Sequence, residues 1–363
     1  AETDLLKDRK AIEKNLLSGV SVLFVDGYDV AFGIDCRQYP SRSVEEPNKN
    51  KSLRGSRDGF VETLVFNTAL IRRRIRDVDL TIEMLQVGES SKTDIAFCYM
   101  GKRVDKNFCK KIRDKINNIK IDSLTMNQES LAECLYKGKW INPFPKFKYT
   151  ERPDASAAAL LEGDIVILVD NSPAAMILPA SVFDIIEEAD DYYFPPVTGT
   201  YLRIARLVIN IGAVLITPTW LLLVSNTNYM PDWLRFTIPR EVMNIPLIWQ
   251  FLILELAIDG LRLAALNTPS MLTTPLSVIA ALVIGDFAVS SGWFNQEAML
   301  YMAFVSLANY TQPNFEFGYA MKFMRVVILI FTAIFGIWGY IGGIIFIGIC
   351  IIKNKTIGGT SYI

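Results

Sequence analysis

Three charged residues stand in an otherwise apolar stretch, and their types and spacing suit them to chemistry inside a membrane. Glu255, Asp259 and Arg262 follow one another at intervals of four and three, so on a helix they share one face. Their segment, Ile245–Leu266, is long enough to cross a bilayer, which takes about 20 apolar residues. A fourth charge, Asp286, lies in the next apolar segment, Thr274–Phe294. An unpaired charge in mid-bilayer costs about 2.5–3.5 kcal/mol even on the lenient insertion scale. Arg262 is expected to offset Asp259, which leaves Glu255 and Asp286 in need of partners or water. Three arrangements would supply them: an ion pathway or its vestibule, an interhelical or intersubunit ion pair near the cytoplasmic interface, or a helix lying partly in the interface.

Beside these charges runs a stripe of small residues, Thr274, Ser277, Ala281, Gly285 and Ala288. Such a face lets helices approach closely, or lines a narrow pore without blocking it. Its hydroxyls can replace part of an ion's hydration shell. Gly339 and Gly343 form a GxxxG in the last apolar run, a helix-packing pattern. Arg72, Arg73 and Arg74 belong to a basic run ending at Arg76. Cations there suit a helix C-terminus, solvated or touching another subunit. The interleaved aromatics of a nucleic-acid site are missing, so no nucleic acid is expected as partner.

Histidine is absent from the chain, which removes His-based triads, the common zinc sites and the usual proton shuttle near neutral pH. The five cysteines form no CxxC and read as reduced thiols, so neither metal nor cofactor is expected. No Walker A, GxGxxG or GxSxG pattern occurs, and nothing argues for an enzyme.

The elements that must position these residues divide sharply by charge. Positions 207–352 hold twelve Asp, Glu, Lys or Arg in 146 residues, while the remaining 217 residues hold 63. A soluble domain would be about a quarter charged, so the solvent of the second half is lipid. The first half reads as α/β or α+β. Leu5–Leu17 has helical spacing, and Ser21–Asp26 with Asp29–Ile34 forms a hairpin around Gly27-Tyr28. Asp58 is expected to cap a helix from Gly59 to about Arg76. Strands follow at Thr81–Val87 and Thr93–Met100, and amphipathic helices at Asp105–Ile116 and Asn127–Tyr136. A first subdomain occupies 1–37 and a linker 38–53. An α/β subdomain covers 54–140. A connector at 141–203 contains the helix Asp154–Leu161, stopped at Gly163, and a hairpin around Asp170-Asn171-Ser172-Pro173. The helical membrane domain fills 204–352 and a tail 353–363.

Leu207–Val224, Ile245–Leu266, Thr274–Phe294 and Val326–Ile352 each satisfy the length of a span, and Met299–Tyr310 is marginal. The expectation is therefore four to five spans. Arg203 and Arg206 place the N-terminal region inside. The charges Lys322, Arg325, Lys353 and Lys355 leave the side of the C-terminus open.

Residue strings add to this reading. Arg54-Gly55-Ser56-Arg57-Asp58-Gly59-Phe60-Val61-Glu62 and the run Asn67–Asp77 resemble the signature of the A-subunit family of bacterial spore germinant receptors. So do Tyr149-Thr150-Glu151-Arg152-Pro153-Asp154, the run Ala157–Gly163 and Val169–Pro173. The form around Ser56–Gly59 and Glu83-Met84 is most similar to the stage V sporulation branch of that family.

This resemblance implies a sporulation protein of the inner spore membrane with its N-terminal region cytoplasmic. It implies an oligomeric, gated ion channel among membrane lipids, with a B-subunit-like transporter-fold protein and a lipoprotein C-type subunit as partners. It also implies a longer soluble part before Ser21 than this chain carries. Arg57, Asp58, Arg72, Arg73, Arg74, Glu151, Arg152, Pro153 and Asp154 are expected to cap helices and join subunits. A non-conducting scaffold or receptor subunit is the second reading. A secondary transporter is the third, since the chain lacks the internal repeat such folds show.

Overall fold

The computed structural model describes residues 2–36, 42–47, 51–136, 142–239, 244–267, 285, 287–357 and 362. The chain divides into two compact units, Ala1–Ser43 and Val44–Ile363.

The first unit holds β1 (Glu2–Leu6), α1 (Arg9–Leu17), β2 (Ser21–Phe24) and β3 (Ala31–Asp35) in an antiparallel sheet of order β1-β3-β2. Leu5 and Leu6, expected in a helix, belong to β1. The free edge of β3 pairs with them, Leu5 opposite Phe32 and Leu6 opposite Ala31, and Leu6 is buried there. Asp8, in extended backbone, then turns the chain into α1. The expected hairpin forms on Gly27, at φ +86°, a left-handed conformation glycine adopts without steric penalty.

In the second unit α2 (Leu64–Arg74), β4 (Leu80–Val87), β5 (Thr93–Met100), α3 (Lys106–Asn117), α4 (Asn127–Leu135), β6 (Lys148–Thr150), α5 (Pro153–Glu162), β7 (Ile165–Val169) and β8 (Ala175–Leu178) make an α/β sandwich. Its antiparallel sheet has the order β4-β5-β7-β8-β6. Alternate side chains point to opposite faces. Ile95, Phe97, Ile165 and Ile167 meet Ile112 and Ile116 of α3 and Leu131 of α4. Ala96, Cys98, Val166 and Leu168 meet Ile71 of α2 and Leu160 of α5 on the other face.

Residues 141–203, drawn from sequence as a connector, supply three of the five strands, because β7 pairs directly with β5. Their hairpin is apolar on both faces, and only a position inside a covered sheet buries both. The turn forms as expected, with Asn171 at φ +62°.

Short helices α6 (Val182–Ile186) and α7 (Asp190–Tyr193) lead to the bundle: α8 (Pro196–Ser225), α9 (Leu247–Asn267), α10 (Gln296–Tyr310), α11 (Phe315–Phe335) and α12 (Ile337–Lys353). Among the described residues, α8 and α11 are long and apolar enough to cross a membrane, and α12 is a shorter apolar helix. Of the four to five spans expected, two are thus found among the described residues, and most of Thr274–Phe294 lies outside them. Three charges interrupt α9, and α10 has only 15 residues. The run Val326–Ile352, expected as one helix, breaks at Gly336, whose φ of 57° and ψ of −133° lie outside helical space. The upstream part instead extends back to Phe315, which carries Lys322 and Arg325 into α11.

Trp220, Phe251, Leu254, Ala298, Met302 and Leu329 form the bundle core. A second cluster joins Phe317, Ala320 and Met324 of α11 to Phe144, Ile185 and Ile186. The chain beyond α12 returns to the sandwich. Ile357 is part of the core that includes Phe97, and the Tyr362 carbonyl accepts a hydrogen bond from the Val182 N–H at 2.8 Å.

Candidate functional site

Two helices bring four charges together inside the bundle. Glu255 and Asp259 stand one turn apart on α9, and Lys322 and Arg325 one turn apart on α11. Arg325 Nε donates to Glu255 Oε1 at 2.6 Å, and Lys322 Nζ lies 3.5 Å from Glu255 Oε2. Lys322 Nζ also donates to Asp259 Oδ2 and, at 3.2 Å, to the Glu255 carbonyl. Arg325 Nη1 reaches the carbonyl of Ala213 on α8 at 3.3 Å, which ties the third helix in. Arg325 is 0% exposed and Glu255 5%, so the pair is withdrawn from bulk water. A buried ion pair holds only because each charge answers the other; removing one partner strands the second.

Arg262 is not the partner of Asp259, against expectation. Its guanidinium stacks between Tyr310, 5.0 Å away, and Tyr319, 5.2 Å away. The nearer cation is supplied from α11, a long-range contact that spacing within α9 does not reveal. Lys322 and Arg325 were read as charges outside a span. Two cations three apart, opposite two acids four apart, are the signal that would have found them.

Of the small-residue stripe, Thr274, Ser277 and Ala281 lie outside the described residues, as does Asp286. Gly285 and Ala288 are half-buried, and Ala288 packs at the edge of the bundle core. Gly339 and Gly343 both face α11. A Cβ on Gly339 would collide with the Phe331 carbonyl, and one on Gly343 would meet Ile328 at 3.1 Å.

A second ionic cluster forms in the sandwich from the signature strings. Asp58 does not cap α2, which starts at Leu64 behind Thr63. The backbone N–H groups of Gly59, Phe60 and Val61 go instead to Glu45 O, Glu151 O and Asn67 Oδ1, which excludes helix there. Asp58 reaches the far end of α2, where Arg73 and Arg74 each donate to it at 2.5 Å. Burial alone would raise its pKa, but the hydrogen bonds from Arg74 and Ser56 outweigh this and hold it below the ordinary carboxylate range.

Arg72 donates to the Leu80 carbonyl at 2.8 Å, and Arg57 is exposed. Arg152, 2% exposed, precedes Pro153 at the start of α5. It grips Asp154 through Nε at 3.0 Å and Nη2 at 2.6 Å, and Nη2 also donates to the Ser56 carbonyl at 3.0 Å. Tyr193, which spacing did not single out, donates its hydroxyl to Asp154. Burial likewise pushes Asp154 up, and Arg152 and Tyr193 bring its pKa below the usual value.

Between the sandwich and the start of α11 lies a cavity of about 570 Å³, lined among others by Asp154, Asp164, Asp184, Glu187 and Glu316. Burial, then the neighbouring Asp184 and Glu162 carboxylates, push Asp164 up to about 7 against the pull of Lys148. At the same junction Arg206 of α8 donates to Asp191 Oδ2 and to the Ile186 carbonyl, both at 2.8 Å. This buried pair anchors the first bundle helix to the short helices α6 and α7 that precede it.

The family described as Bacillus/Clostridium GerA spore germination protein matches residues 1–363. The chain is 39% identical over 343 residues to the stage V sporulation protein AF of Bacillus subtilis (strain 168), covering 94% of this chain and 69% of that protein. It is 30% identical over 344 residues to the spore germination protein KA of the same strain, covering 93% of this chain and 63% of that protein. Among solved structures, the N-terminal domain of the A subunit of the Bacillus megaterium spore germinant receptor GerK3 matches at 31% identity with a TM-score of 0.28, over 49% of this chain and 63% of that one. On the match to the whole chain and the identity to these proteins, the chain belongs to the GerA family of spore germination proteins.

Proposed function

We propose that this protein is a membrane subunit of a spore germination complex and forms an oligomeric, gated ion channel whose opening releases ions as dormancy ends. One observation carries the reading: Glu255, Lys322 and Arg325 are buried among apolar helices and, with the half-buried Asp259, are paired across them. Ionisable residues within membrane helices are rare, face the bundle interior and mark ion and proton routes. The sandwich is cytoplasmic on this reading. Since Ile357 packs into the sandwich core, the chain end after α12 lies on the same side, which favours an even number of crossings.

The stripe Thr274, Ser277, Ala281, Gly285 and Ala288 lines the pathway in this proposal. Copies of the chain make the ring, and a B-subunit-like membrane protein and a lipoprotein are its partners. Recordings from the purified protein in planar bilayers test it. Stepwise conductance is expected, lowered by Ser277→Phe or Ala281→Phe at normal protein level; a folded oligomer that passes no current rejects the channel.

A non-conducting scaffold is the second reading. The mutual pairing of Glu255 with Arg325 and of Asp259 with Lys322 favours it, because a closed set of ion pairs can act as a staple between helices.

A further inference from the structure

Four buried polar groups on the facing sides of α8 and α11 have no hydrogen-bond partner in the protein: Asn210 Nδ2, Thr217 Oγ1, Arg325 Nη2 and Thr332 Oγ1. Their residues are 3%, 0%, 0% and 4% exposed. They share one seam. Ala213, whose carbonyl accepts from Arg325, stands three residues after Asn210 and four before Thr217, on the same face of α8. Thr332 lies seven residues, two turns, beyond Arg325 on the same face of α11. Each seven-residue step rises about 10 Å along its helix.

A buried donor or hydroxyl left without a partner is costly, and native proteins answer such groups with ordered water or an ion. Four of them aligned on one seam are not four separate accidents of packing. Their chemistry selects the occupant. The unpaired atoms are a guanidinium nitrogen, an amide nitrogen and two hydroxyls, while the charges nearby already balance, Lys322 and Arg325 against Glu255 and Asp259. An additional ion would unbalance that set; a neutral molecule that both donates and accepts would not.

We infer that the α8–α11 seam holds a file of internal water running from Asn210 past Arg325 to Thr217 and Thr332. The file begins one turn beyond Arg206, which is held by the Ile186 carbonyl of α6 and Asp191 of α7, and ends inside the bundle. It is an aqueous inlet from the α6–α7 end to the Glu255–Arg325 pair within a single chain. It goes beyond the channel reading, and its hydration holds whether or not the protein conducts.

Thr→Val exchange at two points separates a wet seam from a dry one. In a dry seam, removing an orphaned hydroxyl at constant shape raises the melting temperature or leaves it unchanged. In a wet seam the bridging water loses a partner, and Thr217→Val and Thr332→Val in the full-length protein in detergent should each lower it by about 2–4 °C. An increase or no change at both positions overturns the inference. As a second measurement, Thr217→Cys on α8 and Thr332→Cys on α11 should react with methanethiosulfonate ethylammonium several-fold faster than Ile328→Cys, an apolar buried position on α11. Equal rates at all three would equally overturn it.

Discussion

The chain ties two carboxylate–guanidinium clusters from the same side-chain chemistry, one in the sandwich and one in the bundle. In the sandwich, Arg152 and Arg74 share their donors among Asp154, Asp58 and the backbone around Ser56, and Arg73 stays 60% exposed at the rim. In the bundle, Arg325 and Glu255 have no contact with bulk water, and one guanidinium nitrogen has no protein partner at all. The sandwich cluster connects segments far apart in sequence and opens to water at its Arg73 rim, although Arg152 itself is buried. The bundle cluster fixes three helices in an apolar interior out of reach of bulk water, where a lost counter-charge is not replaced. The comparison teaches that solvent, more than geometry, decides what an ion pair is worth.

The largest effect should come from breaking the bundle pair on one side. Arg325→Met leaves Glu255 buried beside Lys322 alone, and Glu255→Gln leaves Arg325 without its counter-charge. Each is expected to cost about 3–5 kcal/mol. Folded protein recovered from membranes should fall steeply for each variant, while the double variant Glu255→Leu, Arg325→Met should recover much of it. Equal yields for the single and double variants would show that the pair is not coupled.

Arg152→Ala should have the next largest effect, about 1.5–3 kcal/mol from lost charge-assisted hydrogen bonds. Chemical denaturation followed by fluorescence of the full chain measures it. If Arg152→Ala destabilised more than Arg325→Met, the contrast between the two solvents would be reversed.

Titration sharpens the comparison further. Asp164 has its pKa raised to about 7, so between about pH 4, the unfolded value, and 7 the folded state keeps a proton that the unfolded state has released. Stability therefore falls as pH rises through that interval, and Asp164→Asn should flatten the fall. Asp58 and Asp154, both lowered, act in the opposite sense: their contribution is present above about pH 4 and is lost as pH drops below it. Denaturation midpoints from pH 3 to 8 should accordingly be highest near pH 4 and decline from there towards pH 7. The smallest effect belongs to Arg73→Ala, about 0–1 kcal/mol, because Arg73 is mostly solvated and Arg74 still holds Asp58.

What sequence could reveal follows the same divide. Strands β7 and β8 are legible because they are apolar and bounded by Gly163 and Asp170–Pro173. Their place in the sheet is not legible, since pairing with β5 is a long-range choice. The start of α1 was misplaced because Leu5 and Leu6 fit helical spacing as well as they fit a strand edge. Gly336 was invisible, because an apolar run reads the same with or without a break in backbone direction. Glu255 and Asp259 stood out as charges in an apolar run, but their partners did not, since helix periodicity reports neighbours on one helix and says nothing of the helix across. The specific strings around Asp58 and Arg152 marked the sandwich cluster without indicating that the two strings meet each other.

The return of Ile357 to the sandwich core has a consequence for how the molecule is made. Residues 80–178 leave the ribosome early, yet one apolar piece of their interior is encoded after the last helix. During synthesis that interior stays open at one spot until α12 has been threaded and its far end has come back. Completion of the sandwich core thus waits on the segment after α12, and a chain in which α12 pointed the other way would leave that core open at Ile357.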